Sequence, residues 1–196
     1  MVKEPILGTW MINSESYEAW DSCLCELKER GLKGVKYVVS DDNKGLRGAI
    51  AKHFQEVMWQ RCQVHFMRNF IGKLSQSEKG EGVALLKDVF AANTKEEAKT
   101  RLTKMKEFLK RRKKDHIWVW LEESIEETLT VLDLPLEHRK KMKSTNMLER
   151  FNQELKRRSR VVRIFPNERS CLRLLTALCQ ETSESWETRN YLKEVS

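Results

Sequence analysis

The sequence predicts an α/β protein that is predominantly helical by residue count. Apolar, β-prone runs alternate with helical periodicity over about the first 60 residues, a pattern typical of a sheet that contains parallel strands. Beyond that point, nearly every segment repeats its apolar residues with the period of an amphipathic helix. Only three prolines and eight glycines occur among the 196 residues. The sequence contains no internal repeat, low-complexity tract or flexible linker.

The first part of the chain is predicted to contain three strands and two helices. Each predicted strand is a short run that is apolar, rich in β-branched and aromatic residues, or alternating in polarity. The strands are expected at residues 6–12 (ILGTWMI), 35–39 and 56–62. The first helix is expected to follow a cap at Ser14 or Ser16 and to end at Gly31, and the second covers about 46–54.

The remainder is predicted to be helical, within one domain that carries an inserted subdomain. With 40% hydrophobic residues, a chain of this length buries one ordinary core and leaves little for a second. The helical segments are expected at residues 66–74, 83–90, 96–114, 118–132, 145–158 and 168–192. The expected division is a core in 1–64, a helical insertion in 65–143, and C-terminal core helices in 144–196.

The positive charge of the chain is concentrated in one segment. Lysine and arginine number 37 against 29 aspartate and glutamate residues, which gives a net charge of +8. Residues 139–163 alone contain ten basic and two acidic side chains, so this segment accounts for the whole excess. A compact basic patch binds phosphates and releases their counterions, which makes nucleic acid the first partner to consider.

Membrane and secreted classes are disfavoured by the sequence. No apolar run approaches the length of a membrane-spanning helix, and the N-terminal MVKEPILG lacks the apolar core of a signal peptide. Five cysteines, an odd number without an export signal, indicate reduced thiols rather than a disulfide framework. We therefore expect a soluble, intracellular protein.

Two basic runs have different interpretations. The run at residues 110–114 precedes a helix whose glutamates could neutralise it, so a solvated face is favoured there. Those glutamates are Glu122, Glu123, Glu126 and Glu127. The later run has no such acidic neighbour nearby, which favours contact with nucleic acid. Its candidate DNA-binding residues are Lys156, Arg157, Arg158 and Arg160.

Two carboxylates are candidate ligands, and each has an alternative structural interpretation. Asp41 follows a predicted buried strand and precedes a helix, which is where open α/β sheets gather ligand groups. Asp41, Asp42 or Asn43 could equally cap that helix. Glu149 follows Asn146 by three residues and could form a capping box with it. The residues alone leave these alternatives open.

The helix that contains Glu149 is predicted to be amphipathic. Leu148, Phe151 and Leu155 would form its buried stripe. Glu149, Asn152 and Lys156 would lie on the neighbouring polar stripe.

Cys62 and His65 have half the ligand spacing of a zinc site. No second pair with matching spacing is present, and Cys23 and Cys25 are too close in sequence for the usual hook. The alternative is a thiol and an imidazole that pack where a strand becomes a helix.

Five stretches of the sequence, in order, resemble the Mutator-type family of bacterial insertion-sequence transposases. They are ESYEAW, ERGLKGVKYVVSD, GLRGAI, WQRCQVHFMRN and STNMLERFNQELKRRSRVVRIFPNE. The resemblance covers essentially the whole chain, and five motifs in order are more specific than any one of them. A basic RNA-binding protein unrelated to transposition would not explain VVSD and NMLER together.

The resemblance implies a DDE-type transposase with a partial RNase H-like sheet and an all-helical insertion. Asp41 matches the family's second catalytic Asp, and Glu149 matches its catalytic Glu, both as metal ligands. The surrounding signature residues are Cys62, His65, Asn146 and Asn152. Such an enzyme cuts insertion-sequence ends and transfers their 3′-hydroxyls to target DNA with two Mg²⁺ or Mn²⁺ ions. The implied partners are DNA and further copies of the enzyme, in the bacterial cytoplasm at the nucleoid and not at a membrane.

The first catalytic Asp of the family has no counterpart in this sequence. That Asp belongs to the first strand of the family's sheet, whereas residues 6–12 match the third strand and Asp21 lies on a predicted helix. Asp42 follows Asp41 directly, so the two side chains should point apart. We therefore expect an N-terminally truncated fragment that is inactive alone. The alternative is a non-catalytic remnant that binds DNA or a full-length transposase and modulates it.

Two smaller departures from the family pattern concern arginines. Arg163 stands where the family commonly has glycine, which would alter a turn. Arg139 stands where an aromatic residue is common, and this puts base stacking at that position in doubt.

Overall fold

A computed structural model describes residues 5–10, 12, 14–161 and 165–187. These residues form a predominantly helical α/β protein with a small parallel sheet. In chain order the elements are α1 Tyr17–Glu29, β1 Tyr37–Ser40, α2 Lys44–His53, β2 Met58–Arg61, α3 Gln63–Lys73, α4 Gln76–Phe90, α5 Lys95–Arg111, α6 Asp115–Ser124, the 3₁₀ turns Glu126–Thr128 and Thr130–Asp133, α7 Leu136–Met142, α8 Asn146–Val161 and α9 Glu168–Glu187. No helix among the described residues is both long enough and apolar enough to cross a membrane.

The chain packs as two compact units that alternate along the sequence. The first unit contains the described residues of Met1–Val35, Asn43–Glu56 and Asn146–Ser196. The second unit contains Lys36–Asp42 and Val57–Thr145.

The sheet of the second unit confirms two of the three predicted strands. β1 and β2 pair in parallel, with Tyr37 opposite Met58 and Ser40 opposite Arg61. The strand predicted at residues 6–12 is wrong for 6–10 and 12, which form no regular structure. A strand requires a partner for its backbone groups. Here the Ile6 N–H donates instead to Ser183 Oγ at 3.0 Å, so a side chain takes the place of a ladder.

The first unit begins with the pair of helices α1 and α2. The Ser16 side chain accepts a hydrogen bond from the Ala19 N–H, so Ser16 caps α1 as one of the two predicted caps. The two helices approach closely at Gly45, where an added Cβ would lie 2.7 Å from the Tyr17 backbone nitrogen. Only a residue without a side chain permits that approach.

An ion pair network also joins α1 to α2. Asp21 accepts hydrogen bonds from Lys52 Nζ at 2.8 Å and contacts His53 Nε2 at 2.7 Å. These bonds, from Lys52 first and His53 second, hold the pKa of Asp21 below its ordinary value. Asp21 therefore lies on a helix, as predicted, and serves to connect two helices.

A small apolar core joins α8 to α9 in the first unit. It is formed by Phe151, Leu155, Leu178 and Cys179, and Trp186 contacts the Phe151 ring edge to face with centroids 5.8 Å apart. The stripe prediction is confirmed for Phe151 and Leu155. It is wrong for Leu148, which is 49% exposed.

The second unit has a larger core built by α3 to α6. Its fully buried members are Phe66, Phe70, Leu86, Val89, Ala98, Met105, Phe108, Leu109, Ile117 and Leu121. The helix predicted over 118–132 is only partly confirmed, because α6 ends at Ser124 and two 3₁₀ turns follow. The Thr128 hydroxyl donates to the Ile125 carbonyl at 2.6 Å, and such bonds compete with a continuous helix.

Tertiary hydrogen bonds fix the 3₁₀ turns against β2. The buried Gln60 amide donates to the Thr128 carbonyl at 2.7 Å, and its oxygen accepts from the Val131 N–H at 2.6 Å. Gln63 donates to the same Thr128 carbonyl at 3.0 Å. These bonds to side chains satisfy backbone groups that an α-helix would otherwise pair internally.

Arg139 of α7 has a structural role in the second unit. Its guanidinium donates to the backbone carbonyls of Asn93, Leu132 and Leu134, each at 2.7 Å. Arg163, the other departure from the family pattern, lies outside the described residues.

Candidate active site and nucleic-acid surface

The candidate site begins at the carboxyl ends of the two parallel strands. Because β1 and β2 run in the same direction, the residues that follow them, Asp41 and Cys62, lie at the same edge of the sheet. The Cys62 N–H donates to the Ser40 carbonyl at 2.7 Å, which extends the ladder to this edge. Asp41 is thus at the position where α/β sheets bind ligands.

The backbone at Asp41 is held by a relay of two hydrogen bonds. Trp59 Nε1 donates to Ser40 Oγ at 2.8 Å, and the Ser40 hydroxyl donates to the Asp41 carbonyl at 2.8 Å. Ser40 is 5% exposed, so both bonds are shielded from water. The end of β1 is therefore fixed by side chains of its own strand and its neighbour.

The cap of α2 is Asn43, not either aspartate. The Asn43 side-chain oxygen accepts from the Leu46 N–H at 2.9 Å, and its amide donates to Glu15 Oε2 at 3.2 Å. Among the three cap candidates, the helix uses the last. The capping interpretation is therefore wrong for Asp41 and Asp42.

The carboxylate of Asp42 forms an ion pair with a buried arginine. Arg61, which is 3% exposed, contacts Asp42 Oδ2 through Nη2 at 2.9 Å and Glu127 Oε2 through Nη1 at 3.3 Å. Its guanidinium carbon also lies 5.0 Å from the centroid of the Phe66 ring. Two carboxylates and an aromatic face thus surround one buried cation, which is the usual requirement for burying a charge.

Cys62 is a buried thiol at the junction of β2 and α3. Its sulfur accepts hydrogen bonds from the Thr145 N–H and hydroxyl, each at 3.4 Å. His65 lies half-buried in the first turn of α3. Both residues thus lie where a strand becomes a helix, and their role stays a prediction. All five cysteines are free, as predicted.

Glu149 lies in the first turn of α8 and is half-buried. α8 begins with Asn146, so Asn146 is a helical residue and not the residue before the helix; both it and Asn152 are exposed. Asp41 belongs to the second compact unit and Glu149 to the first. As ligands of one metal site, the two carboxylates would have to lie close together, and this stays a prediction.

The basic patch of α8, formed by Lys156, Arg157, Arg158 and Arg160, lies beside Glu154. The sequence analysis counted this glutamate in the charge of the segment but did not pair it with the patch. Glu154 accepts two hydrogen bonds from Arg157, at 2.8 and 2.7 Å, and one from Arg158 Nε at 2.8 Å. Arg158 also donates to Glu181 of α9 at 3.1 Å. The prediction that no acid lies near this patch is therefore wrong.

The pairing with Glu154 has an electrostatic consequence. Hydrogen bonds from Arg157, followed by those from Arg158, lower the pKa of Glu154 to about 2. The carboxylate stays charged at neutral pH and offsets part of the patch. Lys156 and Arg160 are exposed and make no ion pair within the described part of the chain. The i to i+3 and i to i+4 spacing was the sequence signal for this pairing.

The basic run at 110–114 is neutralised by a different helix from the one that the sequence indicated. Its charge is also neutralised less completely. Arg111 and Arg112 both contact Glu81 of α4, at 2.8 and 3.4 Å. Of the glutamates expected to do so, Glu126 contacts Lys99 and Glu127 contacts Arg61. Helix packing, which the sequence does not reveal, decides these partners.

A ligand position at the edge of a parallel sheet and a basic helix define a candidate class, an α/β protein with a surface helix of the charge that suits polyanions. The sequence comparison identifies the family within that class. The chain belongs to the Mutator family of transposases, whose family model, "Transposase, Mutator family", matches residues 3–189.

The curated relatives are insertion-sequence transposases. The chain is 45% identical to the transposase for insertion sequence element ISRM5 of Rhizobium meliloti, over 96% of this chain and 47% of that protein. It is 40% identical to the transposase for IS406 of Burkholderia multivorans, over 95% and 48%. It is 36% identical to the transposase for IS256 in transposon Tn4001 of Staphylococcus aureus, over 95% and 48%. The chain therefore spans about half the length of the curated relatives that it matches.

Proposed function

We propose that this chain supplies two metal-binding carboxylates, Asp41 and Glu149, to a DDE-type transposase that cuts and joins insertion-sequence ends. In this proposal residues 1–64 and 144–196 form the core of an RNase H-like fold, and residues 65–143 form the helical insertion. The observation that carries it is Asp41 at the carboxyl end of β1, on a fixed backbone, with the capping of α2 left to Asn43.

The donor set fits a hard divalent cation. Carboxylate oxygens are the ligands that Mg²⁺ and Mn²⁺ take in proteins. Two such ions, when bound, activate the attacking oxygen and stabilise the leaving oxygen in phosphodiester chemistry. Asp41 directly follows β1 at the carboxyl edge of the sheet, the position where open α/β sheets bind ligands, and the carboxylate of Asp42 contacts Arg61. Of this adjacent pair, Asp41 is therefore the ligand that we propose.

Glu149 is the second proposed ligand, and its support is its sequence distance from Thr145. Thr145 donates both of its hydrogen bonds to Cys62, the residue that follows β2. Glu149 follows Thr145 by four residues, about one turn of helix. In the proposal Cys62 and His65 act as structural neighbours of the site and not as ligands of a catalytic ion.

DNA would bind through the basic patch of α8. Lys156, Arg157, Arg158 and Arg160 would contact phosphates and not bases, so binding would be non-specific and strongly dependent on salt. Insertion-sequence ends and target DNA share this backbone chemistry. In the working enzyme we propose a homo-oligomer, since two ends must be cut and joined together.

The 196 residues alone are proposed not to cut DNA. Two carboxylates hold a hydrated Mg²⁺ weakly, and a third must bridge two ions to keep their spacing. Asp21 is the one other aspartate before Asp41. It lies on α1, and its carboxylate contacts Lys52 and His53 of α2. This observation also favours the second candidate function, a non-catalytic remnant that binds DNA or a full-length transposase and modulates it.

The metal proposal can be tested without activity. Fe²⁺ in place of Mg²⁺, with hydrogen peroxide and ascorbate added, generates hydroxyl radicals that cleave the polypeptide beside the ligands of the ion. We expect cleavage near residues 41 and 149, abolished by Asp41→Asn and competed by Mg²⁺. The matched control Asp42→Asn should leave the cleavage pattern unchanged. Cleavage that survives Asp41→Asn, or that is lost only in Asp42→Asn, would contradict the assignment.

An activity measurement tests what the two candidate functions share, namely that this chain alone does not cut DNA. The purified chain with Mg²⁺ or Mn²⁺ should neither nick nor join element-end DNA, while binding it in a salt-dependent manner. Nicking that Glu149→Gln abolishes would show that the chain contains its own third ligand. That outcome would contradict the inactive fragment and the remnant together.

A further inference from the structure

Five consecutive cations occupy the end of α5 and the turn that joins it to α6. They are Lys110, Arg111, Arg112, Lys113 and Lys114, here called the 110–114 turn. The first four are exposed and Lys114 is half-buried. The turn belongs entirely to the second compact unit, whereas the basic patch of α8 belongs to the first.

The backbone of this turn is held in a defined shape. The Lys113 N–H donates to the Lys110 carbonyl at 3.0 Å, and the Lys114 N–H donates to the Leu109 carbonyl at 2.9 Å. This pair of bonds is the Schellman ending of an α-helix. The side chains therefore project from a rigid helix end and not from a disordered loop.

Lys113 occupies the one position of this turn that favours glycine. Its φ is 55°, in the left-handed region, where a Cβ is crowded against the backbone. Among the described residues, it is the only residue other than glycine with positive φ. A lysine at this position carries a positive charge at a cost in backbone energy that glycine would avoid.

The charge of the turn is only partly neutralised. Arg111 and Arg112 share the single carboxylate Glu81. Lys110 and Lys113 make no ion pair with any described residue. Glu78, which is 6% exposed, accepts from the Ser75 N–H at 2.8 Å in the capping box of α4, and its charge also attracts those of Lys114 and Arg112.

Helix stabilisation accounts for only some of these cations. Positive side chains in the last turn of a helix interact favourably with its dipole, and Lys110 and Arg111 lie there. The effect falls off within one turn. Lys113 and Lys114 lie beyond the helix end, where their charges have little effect on α5.

We propose that the 110–114 turn is a second DNA-backbone contact of this chain, separate in sequence and compact unit from the basic patch of α8. It rests on the proposed function, because the partner is the DNA on which a transposase acts. The turn offers cations and no apolar side chain, which suits phosphates; a protein partner would require an apolar centre.

The test measures binding of a short, labelled DNA duplex of mixed sequence to the full 196-residue chain across a range of salt. Lys113→Gly should weaken binding and lower the slope of log affinity against log salt by roughly 1. The same change should raise the melting temperature by about 2 to 4 °C, because it relieves the left-handed backbone. A loss of affinity in a more stable protein cannot result from misfolding.

A triple variant enlarges the effect, and a matched control isolates it. Lys110→Gln, Lys113→Gly and Lys114→Gln together should lower the slope by roughly 2 to 3. Lys87→Gln removes the same charge from an exposed position of α4 and should leave the slope within roughly 0.5 of wild type. An equal loss in Lys87→Gln would mean that net charge alone acts, and would overturn the proposal.

Comparison with the α8 patch separates this inference from the proposed function. If Arg157→Ala with Arg158→Ala weakens binding and the triple variant does not, the 110–114 turn is a solvated face and the inference is wrong. If neither variant weakens binding, both the inference and the proposed DNA surface are wrong. If the losses occur with duplex RNA and not with duplex DNA, the partner is misassigned.

Discussion

The buried Arg61 provides a strong test of how charge is accommodated in the second unit. Its guanidinium contacts the carboxylates of Asp42 and Glu127 and packs on the Phe66 ring. We predict that neutralising both carboxylates, with Asp42→Asn and Glu127→Gln, destabilises the fold more than removing the guanidinium with Arg61→Met.

The asymmetry follows from the exposure of the three groups. The Arg61 side chain is 4% exposed, whereas those of Asp42 and Glu127 are 33% and 26% exposed. Loss of both carboxylates leaves a buried cation without a counterion, which costs about 3–5 kcal/mol of unfolding free energy. Loss of the cation leaves two carboxylates that water can reach, and methionine fills the space on Phe66. That change costs about 1–3 kcal/mol.

Urea unfolding followed by circular dichroism measures both values on the same chain. Asp133→Asn is the control, since it breaks the exposed ion pair with Lys95 and should cost less than about 1 kcal/mol. If Arg61→Met lowers the free energy of unfolding as much as the double variant or more, the cost of leaving the buried guanidinium without a counterion is not the larger effect. The exposure argument would then be wrong.

Three further predictions concern packing, DNA affinity and pH. Gly45→Ala should destabilise by about 1–3 kcal/mol, because the new Cβ meets the Tyr17 backbone. Gly80→Ala, where a Cβ meets nothing within 4 Å, should stabilise by about 0.5–1 kcal/mol in the same urea assay. Glu154→Gln should steepen the salt slope of DNA binding by roughly 1 to 2, because it releases Arg157 and Arg158 from their ion pairs. An unchanged slope would mean that these two arginines do not contact DNA. Asp21→Asn should destabilise the chain at neutral pH, since the lowered pKa of Asp21 means that its contribution is complete above its ordinary value of 3.8 and is lost as pH falls through the folded value. A deficit that persists in unfolding titrations at lower pH would contradict that assignment.

Local pattern was sufficient to predict most elements of this fold. The two paired strands, the cap of α1 and the apolar face of α8 at Phe151 and Leu155 follow from short-range periodicity and cap chemistry. What failed depends on distant partners. Residues 6–12 have the composition of a strand, but strand formation needs a ladder that composition does not supply. The break after α6 depends on hydrogen bonds from Gln60, 68 residues away from Thr128.

The candidate site was predictable in its position and not in its partners. The sequence placed Asp41 after a strand, but three adjacent polar residues could each have capped α2, and only the backbone geometry selects Asn43. The relay from Trp59 through Ser40 joins neighbouring strands, so no motif in one segment reveals it. The pairing of Glu154 is different, because its spacing to Arg157 was visible and its effect on the patch could have been anticipated.

The alternation of the two compact units governs how the chain can be divided or assembled. The second unit is interrupted only by Asn43–Glu56, so it is complete once synthesis has passed Thr145. The first unit needs segments that precede and follow the second unit in the sequence, and its α8 and α9 are made after that unit. Domains fold as units during synthesis. Helices α1 and α2 therefore wait for α8 and α9, the rest of their unit, while about 90 residues of the second unit emerge and fold. A stop codon or a protease cut between Thr145 and Asn146 would therefore remove the α8–α9 core of the first unit, while sparing the second.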